Sequence, residues 1–339
     1  MEQLGFEGMP RRLYACTPTR LTTWLDCPRR YRMTYLDRPP PPRGPAWAHN
    51  SVGASVHNAL AGWWRLPRAG RTVAAAGDLL ERGWQTDGFA DDAQLAAQRR
   101  RWRPLVESYV ARLDPDTEPL GVERTVATRT DLIAVSGRID RLDDRPPGLP
   151  RGGETGGGDP DGADPDGGDP DGGDPDGGDP DGGDPDGGDP DGSPGGEPGG
   201  LVVVDYKTGR HLLTVDDARS SLPLALYALA AARVMRRPCF RVELHHLPTG
   251  RVLAWDHTPQ SLARQLGRAE DIAGECAAAD DRYRDPSGDR GDATFPPQPG
   301  PRCGWCDYRA HCPEGSAAAA GRRPWDGLER EVAPVLDPD

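Results

Sequence analysis

Lysine is all but missing from this sequence of 339 residues: of 41 basic residues, 40 are Arg and one, Lys207, is Lys. A bias this strong reads as compositional drift, with Arg standing wherever any positive charge serves. Lys207 then marks a place where a guanidinium does not serve, because an ammonium is compact and its pKa can be tuned. Chance survival of one surface Lys is the competing reading. Long apolar runs are missing too. The richest, Leu222 to Met235, has 14 residues and is interrupted by Pro223 and Arg233, short of the ~20 that a membrane span needs. No membrane partner is expected. The first residues, MEQLGFEGMPRR, hold no apolar stretch of the kind a signal peptide carries. Cysteine is sparse and odd in number, seven in all. That excludes a disulfide scaffold and points to a reducing, cytoplasmic setting in which clustered Cys hold metal.

What is present first misleads. The net charge of -13 disfavours a nucleic-acid partner. Yet residues 152–200 contain 14 Asp, two Glu and no Lys or Arg, so that stretch alone carries -16 and the other 290 residues carry +3. Its repeating DPDGG units place a Pro every fifth residue, which blocks helix and sheet ladders, and their charges repel. A calcium-binding β-helix repeat would need a large apolar residue per unit, and there is none. The expectation is a disordered acidic insert over 149–200. It divides one globular part into 1–148 and 201–315, with a flexible tail at 316–339.

Hydrophobic spacing predicts a helix over 17–36 with Thr19 as N-cap, and further helices over 50–66, 72–86 and 91–113. Strands are expected over 121–130 and 132–142. LVVVD, 201–205, reads as a buried central strand. A helix over 216–236, strands over 240–247 and 251–257 joined by a turn at Pro248–Gly250, and a helix over 259–284 complete the pattern. The insert is an overgrown connection between two strands, tolerable because loop closure costs rise slowly with length.

Two clusters bear chemistry. Asp140 ends one strand, in SGRIDRLD, and Asp205 and Lys207 end another, in VVVDYKTG. If the strands are neighbours, two carboxylates and an ammonium converge. Like charges at close range repel unless a cation lies between them, and carboxylate oxygens suit Mg²⁺ or Mn²⁺. Surface ion pairs, Asp140 with Arg138 or Arg141 and Asp205 with Lys207, are the plainer alternative. His57, in GASVH, says little alone, since a lone helical His is more often structural. The second cluster is Cys303, Cys306 and Cys312, in CGWCDYRAHC. Three thiols within ten residues suit zinc or iron–sulfur. A closed site needs a fourth ligand, with Cys27 the best placed and Cys16, Cys239, Cys276 and His311 in competition.

Taken in order, TRLTTWLDCPRRYRMTYL, GASVH, GRID, VVVDYKTG, LPLALYALA and CGWCDYRAHC resemble the RecB-type nucleases of the PD-(D/E)xK superfamily. The likeness is to the iron–sulfur members, which include the C-terminal nuclease domain of AddB and CRISPR-associated adaptation nucleases. The resemblance implies an α/β, restriction-endonuclease-like core, a central mixed sheet flanked by helices, with the termini joined by a four-cysteine metal cluster. It makes His57, Asp140, Asp205 and the Tyr206 carbonyl ligands of Mg²⁺ or Mn²⁺, and Lys207 the catalytic lysine. Cys27, Cys303, Cys306 and Cys312 become ligands of a 4Fe-4S cluster, ahead of zinc. Tyr227 matches a supporting Tyr, but the Gln expected four residues before it is Pro223, which puts rate and substrate preference in question. The implied function is exonucleolytic cleavage of DNA, at single strands or ends, in repair or recombination, with a helicase as a possible partner. A non-catalytic DNA-end-binding module, or a zinc-stapled structural subunit of a helicase–nuclease complex, is the rival. Arg29–Arg30, Arg99–Arg101, Trp24 and Trp102 are candidate backbone and base contacts, or else residues of solvated helix faces.

Overall fold

The computed structural model describes residues 13–145 and 199–328. All but the last two residues of the acidic insert fall outside these. In chain order the elements are β1 (Tyr14–Cys16), α1 (Pro18–Asp26), α2 (Pro28–Tyr35), α3 (Ala48–Trp64), α4 (Val73–Arg82), α5 (Asp92–Val110), β2 (Gly121–Arg129), β3 (Ile133–Arg145), β4 (Gly200–Lys207), α6 (Val215–Ser220), α7 (Leu222–Met235), β5 (Cys239–His246), β6 (Arg251–Asp256), α8 (Pro259–Arg284) and α9 (Pro313–Ala318).

Two expected helices are each two. The stretch 17–36 breaks at Cys27, which is extended (φ -172°). Pro28 lacks an N–H and disfavours helical backbone in the residue before it. The N-cap is Thr17 and not Thr19: the Thr17 hydroxyl accepts from Arg20 N at 3.1 Å. The stretch 216–236 breaks at Ser221, whose hydroxyl caps α7 at Leu224 N. Pro223 falls in the first turn of α7, where a missing N–H leaves no bond unmade. The third difference is β1, which is too short to show a period.

The mixed sheet runs β1-β3-β4-β5-β6, with β2 on the other side of β3. β3 is its hub. β2 runs antiparallel along nearly all of one edge, while β1 (parallel) and β4 (antiparallel) share the other, β1 at the start and β4 at the end. β4 and β5 are parallel, joined through α6 and α7, and β6 closes the sheet antiparallel to β5. The strands flanking the acidic insert are therefore neighbours, as expected, with Arg141 opposite Val204.

β4 shows why its sequence is apolar throughout. Val202, Val204 and Tyr206 face a core built on α3, α4 and α5. Leu201 and Val203 face a second core built on α7. Both faces are covered, so alternation disappears. Each buried aliphatic side chain is worth ~1.5–3 kcal/mol, and this holds the end of the strand, Asp205 to Lys207, in fixed register. A third core unites β1, α1, α2, α7 and α8 around Tyr31 and Phe295. Of the tail expected over 316–339, residues 316–328 are described: α9 runs into it, and Ala48 N at the start of α3 donates to the Pro324 carbonyl; residues 329–339 lie outside the described residues.

Candidate active site

Asp140 lies inside β3 and not at its end as expected, because the strand runs on to Arg145 in pairing with β4; it meets Asp205 and Lys207, at the end of β4, beside α3. Asp140 Oδ2 accepts from Tyr206 N (2.9 Å). His57 Nε2 donates to the Tyr206 carbonyl (3.1 Å), and its Nδ1 lies 3.4 Å from Asp140 Oδ1. Lys207 Nζ lies 2.6 Å from Asp205 Oδ2. Tyr227 reaches in from α7. A Cβ at Gly137 would stand 2.4 Å from the Tyr227 ring, so the glycine of GRID makes room for that ring. The five expected residues, with the Tyr206 carbonyl, do converge.

One acid was not foreseen. Glu123 of β2 stands across from Asp140 in register, between the pairs Val122–Arg141 and Arg124–Ile139. His57, Glu123 and Asp140 bring one donor atom each within 4.8 Å of one another. Glu123 has φ +51°, a left-handed backbone that is strained for a residue with a side chain and is found most often at functional sites. Its sequence signal is slight: it is the single acid of a strand, GVERTVATR, that also holds two Arg. Asp205 lies beside this triangle, paired with Lys207.

The electrostatics suit a cation. Burial works against a charged His57, but Asp140, then Asp205 and Glu123, outweigh it and hold the imidazole above its usual pKa. Burial and the Asp140 charge push Glu123 up, although Arg138 lies 2.8 Å from its carboxylate. Burial, opposed by Lys207 and reinforced by Asp140, raises Asp205. Asp205 Oδ2 is closed off from solvent without an aligned hydrogen-bond donor. Three crowded carboxylates, an imidazole and a carbonyl oxygen fit a hard divalent ion, which would offset the repulsion among the carboxylates.

A second gathering lies at the far side of α1 and α2. Cys27, in the break between those helices, meets Cys303, Cys306 and Cys312 around a cavity of about 330 Å³. Burial, together with Cys27 and Cys303, pushes the Cys306 thiol up. Arg29 Nη1 and Gly315 N both donate to Cys312 Sγ at 3.4 Å. A Cβ at Gly315 would come within 3.3 Å of Cys312 Sγ and 3.4 Å of Cys303 Sγ, so the glycine keeps the sulfur side of the cavity clear. The competing ligands lie elsewhere. Cys16, Cys239 and Cys276 are core residues, pushed up by burial to about 11, 12 and 12. His311 Nε2 donates to the Pro42 carbonyl.

Several candidate DNA contacts are otherwise employed. Arg29 is buried and paired with Glu314 and with Asp292. Arg99 is paired with Glu81. Trp102 is 5% exposed, inside the α3–α5 core. Trp24 donates to Glu275 and packs edge-on against Tyr31 and Phe295. An amphipathic helix cannot tell from sequence alone which of its Arg faces solvent.

The family model described as PD-(D/E)XK nuclease superfamily matches residues 15–151 and 193–313. The match takes in both gatherings and spans well over half of the chain. No curated protein matches the chain.

Proposed function

The chain belongs to the PD-(D/E)XK nuclease superfamily, and on that premise we propose that it is a Mg²⁺- or Mn²⁺-dependent DNA exonuclease, acting on single strands or ends in repair or recombination. The observation that carries the reading is the convergence of His57, Glu123, Asp140, the Tyr206 carbonyl and the Asp205–Lys207 pair where β2, β3 and the end of β4 meet α3. A divalent ion bound there supplies polarisation of a phosphate oxygen and acidification of a water. His57, Glu123, Asp140 and the Tyr206 carbonyl would hold it, with Asp205 closing the set. Asp140 also fixes the strand end by accepting from Tyr206 N. Lys207 keeps its ammonium against Asp205 and half exposed, where it can orient the attacking water and meet the charge that forms on the phosphate. Tyr227, packed over Gly137, stands close to both Asp205 and Asp140.

The four cysteines would hold a 4Fe-4S cluster. The open cavity suits a larger inorganic core. The cluster would tie the α1–α2 break to the segment after α8, and so brace the N-terminal and C-terminal parts of one domain.

Protein purified without oxygen should degrade end-labelled DNA with Mn²⁺, and an Asp205→Ala, Lys207→Ala double variant should lose the rate by at least roughly 100-fold. Undiminished cleavage by the double variant would overturn the assignment. DNA binding by the wild type without cleavage under either ion would favour an end-binding module instead.

A further inference from the structure

Beyond Lys207 the chain leaves β4 as Thr208, Gly209 and Arg210, and these residues form one side of a groove of about 340 Å³. Val52 and His49 form another side. They lie on α3, the helix that carries His57, so the groove runs on from the metal-binding end of the sheet. The third side is Trp305, which with Gly304 separates Cys303 from Cys306 in CGWC.

The lining has a definite chemistry. Its charged side chains are Arg101 and Arg210, and no carboxylate lines it. Arg210 is exposed and has no ion-pair partner among the described residues. Its loop is nonetheless held: the Lys207 carbonyl accepts from Leu247 N at 3.0 Å, and the Gly209 carbonyl is bonded to His246 Nε2 at 2.7 Å. A Cβ at Gly209 would meet nothing within 4 Å, so the loop borders open space. Trp305 is half-buried, braced by Trp47 (ring centroids 5.2 Å apart) and by His49 (5.5 Å, edge-on). Burial keeps His49 below its usual pKa. A cationic rim over an aromatic wall is the combination that holds an unpaired nucleotide: phosphate to the guanidinium, base to the ring.

We infer that this groove binds an unpaired nucleotide of the substrate strand next to the scissile phosphate, with Arg210 on its phosphate and Trp305 on its base. The inference rests on the nuclease reading and adds to it a substrate subsite. It also gives the cysteine loop a part in substrate binding, since the turn that carries Cys303 and Cys306 places Trp305 in the groove.

The test is binding of a fluorescein-labelled single-stranded oligonucleotide, read by anisotropy in Ca²⁺ so that cleavage does not intervene, with Mn²⁺ titration and cleavage in Mn²⁺ measured in parallel. Arg210→Ala should weaken strand binding and lower the slope of log affinity against log salt by about one. Trp305→Ala should weaken it about tenfold or more with the salt slope unchanged. Both should keep the wild-type Mn²⁺ affinity. Because Trp305→Ala can disturb the cysteine loop, Arg210→Ala alone suffices to decide. Wild-type affinity and salt slope in Arg210→Ala, from a protein whose wild type cleaves DNA, would overturn the subsite and leave the nuclease reading standing. A wild type that neither binds nor cleaves any strand would overturn both.

Discussion

Glu123 shows how a single position can escape a sequence and still belong to a site. Nothing in GVERTVATR sets this acid apart until β2 is laid against β3 and Glu123 falls opposite Asp140. Its donor atom then lies within 4.8 Å of those of His57 and Asp140, on a backbone that a side chain adopts only under strain. Glu123→Gln keeps the shape and removes one charge from the triangle. Mn²⁺ affinity measured by calorimetric titration should fall about tenfold. The variant should fold as well as the wild type, since a raised pKa marks Glu123 as a charge the fold holds at a cost. Unchanged Mn²⁺ binding would remove Glu123 from the ligand set. The places of Asp205 and Lys207 were legible for the opposite reason. They end a strand whose apolar residues already announce its place, and a charge right after four buried residues has few structural uses; Asp140, by contrast, lies inside β3, which runs on to Arg145.

At the scale of elements, β4 was readable because burial on both faces leaves a continuous apolar run, and α8 because its bounds follow Thr258 and Pro259 at the start. The breaks at Cys27 and Ser221 were not, because hydrophobic spacing continues across them while the backbone turns aside. The same break puts Pro223 where a Gln was expected: position 223 serves the start of α7. Polar contacts between elements were equally hidden. Tyr109 of α5 is hydrogen-bonded to His245 of β5 (2.8 Å), which is hydrogen-bonded to Glu243 (2.8 Å). Arg141 of β3 donates to the hydroxyls of Tyr109 and Tyr206. Beneath the site, this network anchors the Tyr206 ring whose backbone carbonyl faces His57. Burial alone would raise Glu243, but His245 and Arg241 outweigh it and hold the carboxyl down at about 2. A depressed carboxyl contributes stability above its unfolded pKa, and that stability is lost as pH falls from ~4.5 towards 2. Glu243→Gln should therefore cost about 2–3 kcal/mol at pH 7 and progressively less as the pH approaches 2. Denaturant melts at a series of pH values check this, and a pH-independent difference would contradict it.

Across the whole molecule, the mixed sheet carries the charged site at one place and the four cysteines stand at another, with Trp305 and the ordered segment to residue 328 joining the two regions. Helix–sheet layering was legible in the order of the elements. The contact of 316–328 with α3 was not, because it rests on one backbone hydrogen bond, Ala48 N to the Pro324 carbonyl, and on a single apolar residue, Leu328, too little to make a pattern. If the cysteines hold a four-iron cluster, anaerobic protein will be brown, with broad absorbance near roughly 400 nm and about four irons per chain. Cys27→Ser will then lose most of that iron and melt at lower temperature. Colourless protein with one zinc per chain would replace the iron assignment and leave the nuclease site untouched. The claim on which all else depends is that the gathered carboxylates and Lys207 hydrolyse DNA with a divalent ion. Its most direct measurement is the product ladder from end-labelled single-stranded and duplex DNA, with Mg²⁺ or Mn²⁺, for wild type and Lys207→Ala side by side. The account predicts stepwise shortening by the wild type and a loss of at least about 100-fold in the variant. Equal cleavage by both, or none by a folded wild type with either ion, would contradict it.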